Sequence, residues 1–281
     1  MRVAWLAGLA LVAVAATPAW ADEWSHKYSL KGRADLHVRT DDGNVLIESG
    51  AASEIDARVT TVGRRIAPGE VTITESQSGD RVDIEVRLPK QFFNLGMGQR
   101  SIAVVVRVPK EADLDVRSGD GSITVQPVSG RLSLSTGDGS ITADGLQGEI
   151  RLHTGDGSIR ATGLSGRLEA HTGDGHMNVR GRFDDLDLHT GDGGIEAAAE
   201  AGSKVETAWS LRSGDGGITL RLPEGLGAEL DVHTGDGGIR LEKPVTVTGT
   251  IRENTVRGTL GAGGPPLRVR TGDGSIRLMG L

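Results

Sequence analysis

Apolar and polar residues alternate along most of this chain. In the stretch from Gly148, "GEIRLHTGDGSIRATGL", Ile150 and Leu152 fall on one side and Glu149, Arg151 and His153 on the other. Past the intervening glycines, Ile159 and Ala161 take the apolar side, Ser158 and Arg160 the polar one. Strict alternation in short runs bounded by Gly turns predicts half-buried strands, not helices. The runs 54–62, 70–76, 81–88 and 101–108 alternate in the same way and read as longer strands of the same sheet system.

The pattern also repeats. The Asp of a GDG triplet stands at 120, 138, 156, 174, 192, 215, 236 and 273, in steps of 18 four times, then 23, 21 and 37. A looser copy, "TDDGNV", puts Asp42 at the same place. One such unit cannot bury its apolar side alone, whereas stacked copies can. The predicted fold is therefore all-β: a single-chain parallel β-solenoid with 18-residue coils, two short strands and two turns per coil. Its expected hand is right, by the crossover rule for parallel strands. At most roughly 14 coils fit, a rod on the order of 65 Å long. A repetitive antiparallel sandwich is the alternative architecture.

The inward positions can be named. Three residues after each Asp come Val45, Ile123, Ile141, Ile159, Met177, Ile195, Ile218, Ile239 and Ile276. Five after come Leu46 (one residue out of step), Val125, Ala143, Ala161, Val179, Ala197, Leu220, Leu241 and Leu278.

Composition adds a destination. Residues 1–21 combine Arg2, an apolar run from Val3 to Ala16 and an Ala19-Trp20-Ala21 cleavage site, the build of a secretory signal peptide cut before Asp22. No Cys follows to carry a lipid or a disulfide. The expected organisation is a signal peptide over 1–21 and one β-solenoid domain over 22–281. Residues 22–116 would be irregular N-terminal coils and cap, and 117–281 the regular GDG repeats. The chain is expected in the periplasm, with the cell surface or the medium as alternatives, and with no membrane insertion after cleavage. The loop from Pro89, with Phe92, Phe93 and Leu95 at its tip, is expected to cap the first coils or to offer a contact surface. The net charge of −7 argues against nucleic acid as a partner. Aromatic residues make up only 3%, which leaves few platforms for stacking sugars or bases.

Two rows of candidate chemistry follow from stacking. The Asp row puts Asp138, Asp156, Asp174 and Asp192 at intervals of about 5 Å. An Asp between two glycines is expected to accept backbone N–H bonds, with the glycines supplying positive φ. Calcium along the carboxylates is the alternative, although the nonapeptide pattern of calcium β-rolls is not matched. The residue three before each Asp forms the second row: Arg39, Arg117, Ser135, His153, His171, His189, Arg212, His233 and Arg270. His153, His171 and His189 fall on consecutive coils, and imidazole suits zinc or copper. A flat row closes no tetrahedron, so no metal site is assigned and these three His with Asp156, Asp174 and Asp192 are the candidate ligands. Evenly spaced acids on short loops do not make a glycosidase cleft, and no G-x-S-x-G motif is present. The chain is expected to be no enzyme, with no catalytic residue and no cofactor.

"VPKEADLDVRSGDGSITV", the serial "TGDGSI" and the closing "GTLGAGGPPLRVRTGDGSIRL" resemble the bacterial putative-adhesin domain of unknown function, over roughly residues 30–281. The resemblance implies an exported or membrane-tethered β-solenoid-like protein whose GDG turns recur, and it brings no catalytic residue. The reading is a structural or adhesion module of the envelope whose partner is an envelope protein or a surface glycan. A periplasmic binder of cations or polyanions is the alternative, and a glycan-active β-helix enzyme a third.

Overall fold

The computed structural model describes residues 21–89, 101–242 and 247–281. The expected signal segment up to Trp20, and the loop tip at Phe92, Phe93 and Leu95, lie outside these residues. Among the described residues there are 23 strands and no helix. Seven lie before residue 112: β1 (Ala21–Ser29), β2 (Ala34–Thr40), β3 (Asn44–Ser49), β4 (Glu54–Val62), β5 (Thr72–Ser78), β6 (Arg81–Arg87) and β7 (Ser101–Val108). The regular part holds β8 (Ala112–Ser118), β9 (Ile123–Val125), β10 (Ser129–Thr136), β11 (Ile141–Asp144), β12 (Gln147–Thr154), β13 (Ile159–Thr172), β14 (Met177–Thr190) and β15 (Ile195–Ala199). The last part holds β16 (Trp209–Ser213), β17 (Ile218–Leu222), β18 (Ala228–Thr234), β19 (Ile239–Leu241), β20 (Val247–Arg252), β21 (Thr255–Leu260), β22 (Pro266–Thr271) and β23 (Ile276–Gly280).

The strands pair into two ladders. Thirteen run in the order β5–β6–β2–β8–β10–β12–β13–β14–β16–β22–β18–β21–β20. Twelve run in the order β1–β4–β7–β3–β9–β11–β13–β14–β15–β17–β23–β19. The long strands β13 and β14 pass from one ladder into the other and join them. At roughly 4.8 Å per strand the thirteen-strand ladder extends on the order of 60 Å.

The expectation of a parallel-only stack is corrected: the sheet is mixed. Pairings β5–β6, β18–β21, β21–β20, β1–β4 and β4–β7 are antiparallel. The reason lies at the ends of the ladders. The pairs β5–β6 and β20–β21 are joined by two residues each, Gly79-Asp80 and Glu253-Asn254, and a two-residue connection can only join antiparallel neighbours. These hairpins cover strand edges that would otherwise be open to another chain.

Within the middle of the ladders the partner residues are 18 apart, as in Ser129↔Gln147, Ile141↔Ile159 and Met177↔Ile195. The order along the stack departs from the order along the chain at both ends. β2 and β3 lie against β8 and β9, with β6 and β7 outside them. β22 and β23, last in sequence, lie between β16–β17 and β18–β19.

One core cluster receives the inward side chains of both ladders. Ile123, Ile141, Ile159, Met177, Ile195, Ile218 and Ile276 are buried as the alternation requires, while Ile239 on the edge strand β19 is half-buried. One inward assignment is corrected: Ile47 is buried and Leu46 points away, because Val45 and Ile47 keep the two-residue period in β3. Phe183 and Trp209 meet edge to face in the core, ring centroids 6.4 Å apart.

Candidate functional site: the repeated turn and the column beside it

The residue two before each Asp, unremarked in the sequence, turns out to organise the turn. Thr154, Thr172 and Thr190 are buried, as are Thr136, Ser213, Thr234 and Thr271. The Thr154 hydroxyl donates to the Gly139 carbonyl of the preceding turn at 2.8 Å and accepts the Gly157 N–H of its own turn at 3.2 Å. Thr172 repeats this with Gly157 and Gly175, and Thr190 with Gly175 and Gly193. Each hydroxyl thus closes its own turn and ties it to the one before, leaving no buried polar group of the turn unpaired. The signal was present: Thr or Ser stands at that position in every copy.

The glycines serve close approach rather than unusual φ, which corrects the sequence expectation. The GDG glycines from Gly119 onward are absent from the positive-φ set, which includes Gly145 (66°) and Gly163 (64°) at the opposite corner of the coil. A Cβ on Gly157 would stand 2.0 Å from the Gly139 carbonyl oxygen, and one on Gly175 2.0 Å from that of Gly157. The turns are stacked backbone on backbone, and a side chain there would push them apart.

The Asp side chains do not accept the turn's N–H groups. The carboxylates of Asp156, Asp174 and Asp192 are exposed and make no hydrogen bond or ion pair among the described residues. The backbone N–H groups of Asp156 and Asp192 instead join the stack, donating to the Gly137 and Gly173 carbonyls at 3.3 and 3.2 Å. A row of unpartnered like charges runs along the edge of the protein.

The thirteen-strand ladder presents the second row in register beside it. Paired residues give the order Arg39, Arg117, Ser135, His153, His171, His189, Arg212, Arg270, His233, with Glu85 beyond Arg39. Arg270 precedes His233 because β22 is inserted before β18. Arg117 bonds Asp115 at 2.9 Å, Arg270 bonds Asp231 at 2.9 Å, and His171 Nε2 lies 3.3 Å from Glu169. Arg39, His153, His189 and Arg212 make no hydrogen bond or ion pair among the described residues. Burial pulls the Asp231 carboxyl up, but hydrogen bonds from Arg270 and Arg257 outweigh it and hold the group below the usual carboxylate range.

The candidate metal ligands are therefore brought together in part. His171 and His189 are neighbours, ring centroids 5.7 Å apart with planes tilted by 60°. His153 is next in the column, and the three carboxylates line the turns. Among the described residues, no three His, Cys, Asp or Glu converge on a point where a metal ion could sit.

A further cluster escaped the sequence reading. On β1, Trp24, His26 and Tyr28 share one side, with His26 and Tyr28 stacked at 4.6 Å. Glu75 of β5 reaches both, taking the Tyr28 hydroxyl and lying 3.3 Å from His26 Nδ1. Burial, then the neighbouring carboxylate, pushes the Tyr28 hydroxyl pKa up. This cluster locks the first strand of one ladder to the first strand of the other.

Comparison with solved structures finds similar chains of low identity. A putative lipid binding protein from Parabacteroides distasonis matches with a TM-score of 0.48 and 12% identity, over 92% of this chain and 96% of that one. A putative adhesin from Parabacteroides merdae matches with a TM-score of 0.44 and 10% identity, over 92% and 96%. A putative cell adhesion protein from Clostridium sporogenes matches with a TM-score of 0.33 and 11% identity, over 92% and 100%. No curated protein matches the chain. The family model described as Toastrack DUF4097 matches residues 33–279.

Proposed function

The chain belongs to the Toastrack DUF4097 family, and from that premise we propose an exported, non-enzymatic structural or adhesion module of the bacterial envelope. It acts after cleavage of residues 1–21, in the periplasm or at the cell surface. Its partner is an envelope protein or surface glycan with a matching pattern of charge.

The observation that carries this reading is the basic column on the thirteen-strand ladder. Among the described residues most Lys and Arg side chains lie against a neighbouring carboxylate, as with Arg81 on Asp83 and Arg182 on Asp184. Arg39 and Arg212 form no hydrogen bond or ion pair among the described residues, and the His153 and His189 rings between them form none either. They sit on paired strands, so a partner meets them already ordered, and a rigid face loses less freedom on docking. Beside them runs the free carboxylate row. Adjacent stripes of opposite sign favour one orientation of a partner and reject others.

The test replaces Arg39, His153, His189 and Arg212 with Ser together. At unchanged melting temperature, retention of the protein by the envelope fraction is expected to fall by about tenfold, for a loss of order 1.4 kcal/mol. Equal retention by a folded variant would refute the reading.

A second reading rests on the 5.7 Å approach of His171 and His189: zinc held by the His column. It requires a zinc-dependent rise in melting temperature that disappears when His153, His171 and His189 are all replaced.

A further inference from the structure

The outward surface of the twelve-strand ladder carries a groove of its own. Four of the GDG turns read GDGS and one GDGH, but three read GDGG. The extra glycines, Gly194, Gly217 and Gly238, leave the outward position after the turn without side chains, and a groove of about 800 Å³ runs across them. The next outward positions cross it in strand order: Arg160, Asn178, Glu196, Thr219, Arg277, Arg240.

The charges are placed unevenly along this line. Arg160 stands at one end, and Arg277 and Arg240 at the other, four and five strand spacings away, or roughly 19–24 Å. Arg160 and Arg240 make no hydrogen bond or ion pair among the described residues, while Arg277 bonds Glu242 at 3.1 Å. Such a basic pair of ends is unexpected on a chain of net charge −7. Between them lie hydrogen-bonding groups without positive charge. His176 Nδ1 accepts the Gly194 N–H at 3.0 Å, which puts the ring proton on Nε2 as a donor toward the groove. Asn178 Nδ2 reaches Glu196 at 3.4 Å.

We propose that this groove binds an acidic glycan, a linear sugar chain whose carboxylates are separated by neutral units. The guanidinium groups at the two ends take carboxylates in paired hydrogen bonds. Asn178, Thr219, Ser275 and His176 exchange hydrogen bonds with the hydroxyls between. Glu196 sets the specificity. Its carboxylate accepts sugar hydroxyls and repels a polymer that carries an anion on every unit. The groove lies on the opposite ladder from the Arg–His column, so its occupancy is independent of that face.

The experiment is calorimetric titration of the purified protein with a hyaluronan octasaccharide, in which glucuronate alternates with a neutral sugar. The controls are its carboxyl-reduced form and inorganic polyphosphate. The octasaccharide is expected to bind, more weakly as salt rises, with the reduced form at least about tenfold weaker. Joint replacement Arg160→Ser and Arg277→Ser should weaken binding by at least about tenfold at unchanged melting temperature. Gly238→Phe should do the same by filling the groove, since a Cβ there meets nothing within 4 Å. If Gly238→Phe does not fold, the double arginine variant decides. The proposal is overturned if the octasaccharide does not bind, if it binds the arginine variant as tightly as the parent, or if polyphosphate binds the parent equally well.

Discussion

Gly157 and Gly238 separate two uses of the same residue. Gly157 is needed because the preceding turn's carbonyl oxygen lies 2.0 Å from where its Cβ would stand, and Gly238 has open space there. Gly157→Ala is accordingly expected to cost on the order of 3 kcal/mol, the upper end for overpacking. Gly238→Ala should leave stability level or raise it by about 0.5 kcal/mol through the unfolded chain. Urea unfolding of the two variants checks the contrast. Asp231 gives a second prediction. Its folded pKa is lowered, so its contribution is present above the ordinary carboxylate range, about pH 4, and is lost as pH falls through the folded value. Arg257 and Arg270 are more than half exposed at the side chain, so the gain at neutral pH is no more than about 1 kcal/mol. Asp231→Asn should be destabilised relative to the parent at about pH 7, and the difference should shrink as pH falls below the ordinary carboxylate range, read from urea midpoints at each pH.

At the scale of elements, the C-terminal pair β22–β23 is an internal member of both ladders. Among the described residues β18 and β19 do not pair with β16 and β17; β22 and β23 pair with both sets and stand between them. A chain ending after residue 261 therefore lacks the strands on which β18–β21 rest. Stability in stacked repeats is a sum of neighbour interfaces, so the damage should stay local. Hydrogen exchange of that truncated chain is expected to show lost protection over 228–234 and 255–260 and retained protection over 129–172. Uniform loss, or none, would contradict the inserted order. The sequence could not reveal this order. Leu230-x-Val232 of β18 and Leu267-x-Val269 of β22 offer the same inward pair to a neighbour, so alternation is satisfied either way. The short chain between β21 and β22 decides it, together with the β20–β21 hairpin that occupies the outer edge of β18. What alternation does determine, the inward Ile123, Ile141, Ile159 and Ile195, was legible from period alone.

For the whole molecule, the repeated turn is a packing device and the outward columns are where chemistry is left free. The Thr hydroxyls and GDG backbones are consumed in stacking. The candidate site was half legible: the His–Arg column could be read from spacing, because register on adjacent strands follows the repeat. The true role of Asp could not, because a turn Asp that accepts N–H groups and one that points to solvent have the same sequence. The groove was missed because GDGG differs from GDGS by one residue, and its effect appears only when β15, β17 and β19 are lined up with β23 between the last two. The two ladders thus present different outward surfaces, one with the Arg–His column and one with the groove.

The claim that the thirteen-strand face docks a partner is tested most directly by photo-crosslinking in living cells. A photoreactive residue is placed singly at Arg39, His153 and Arg212 on the column, and at Ser122 and Ser140 on the other ladder away from its groove. The account predicts one discrete crosslinked envelope component shared by the three column positions and absent from the two serine positions. The same component at all five positions, or none at the column, would contradict it.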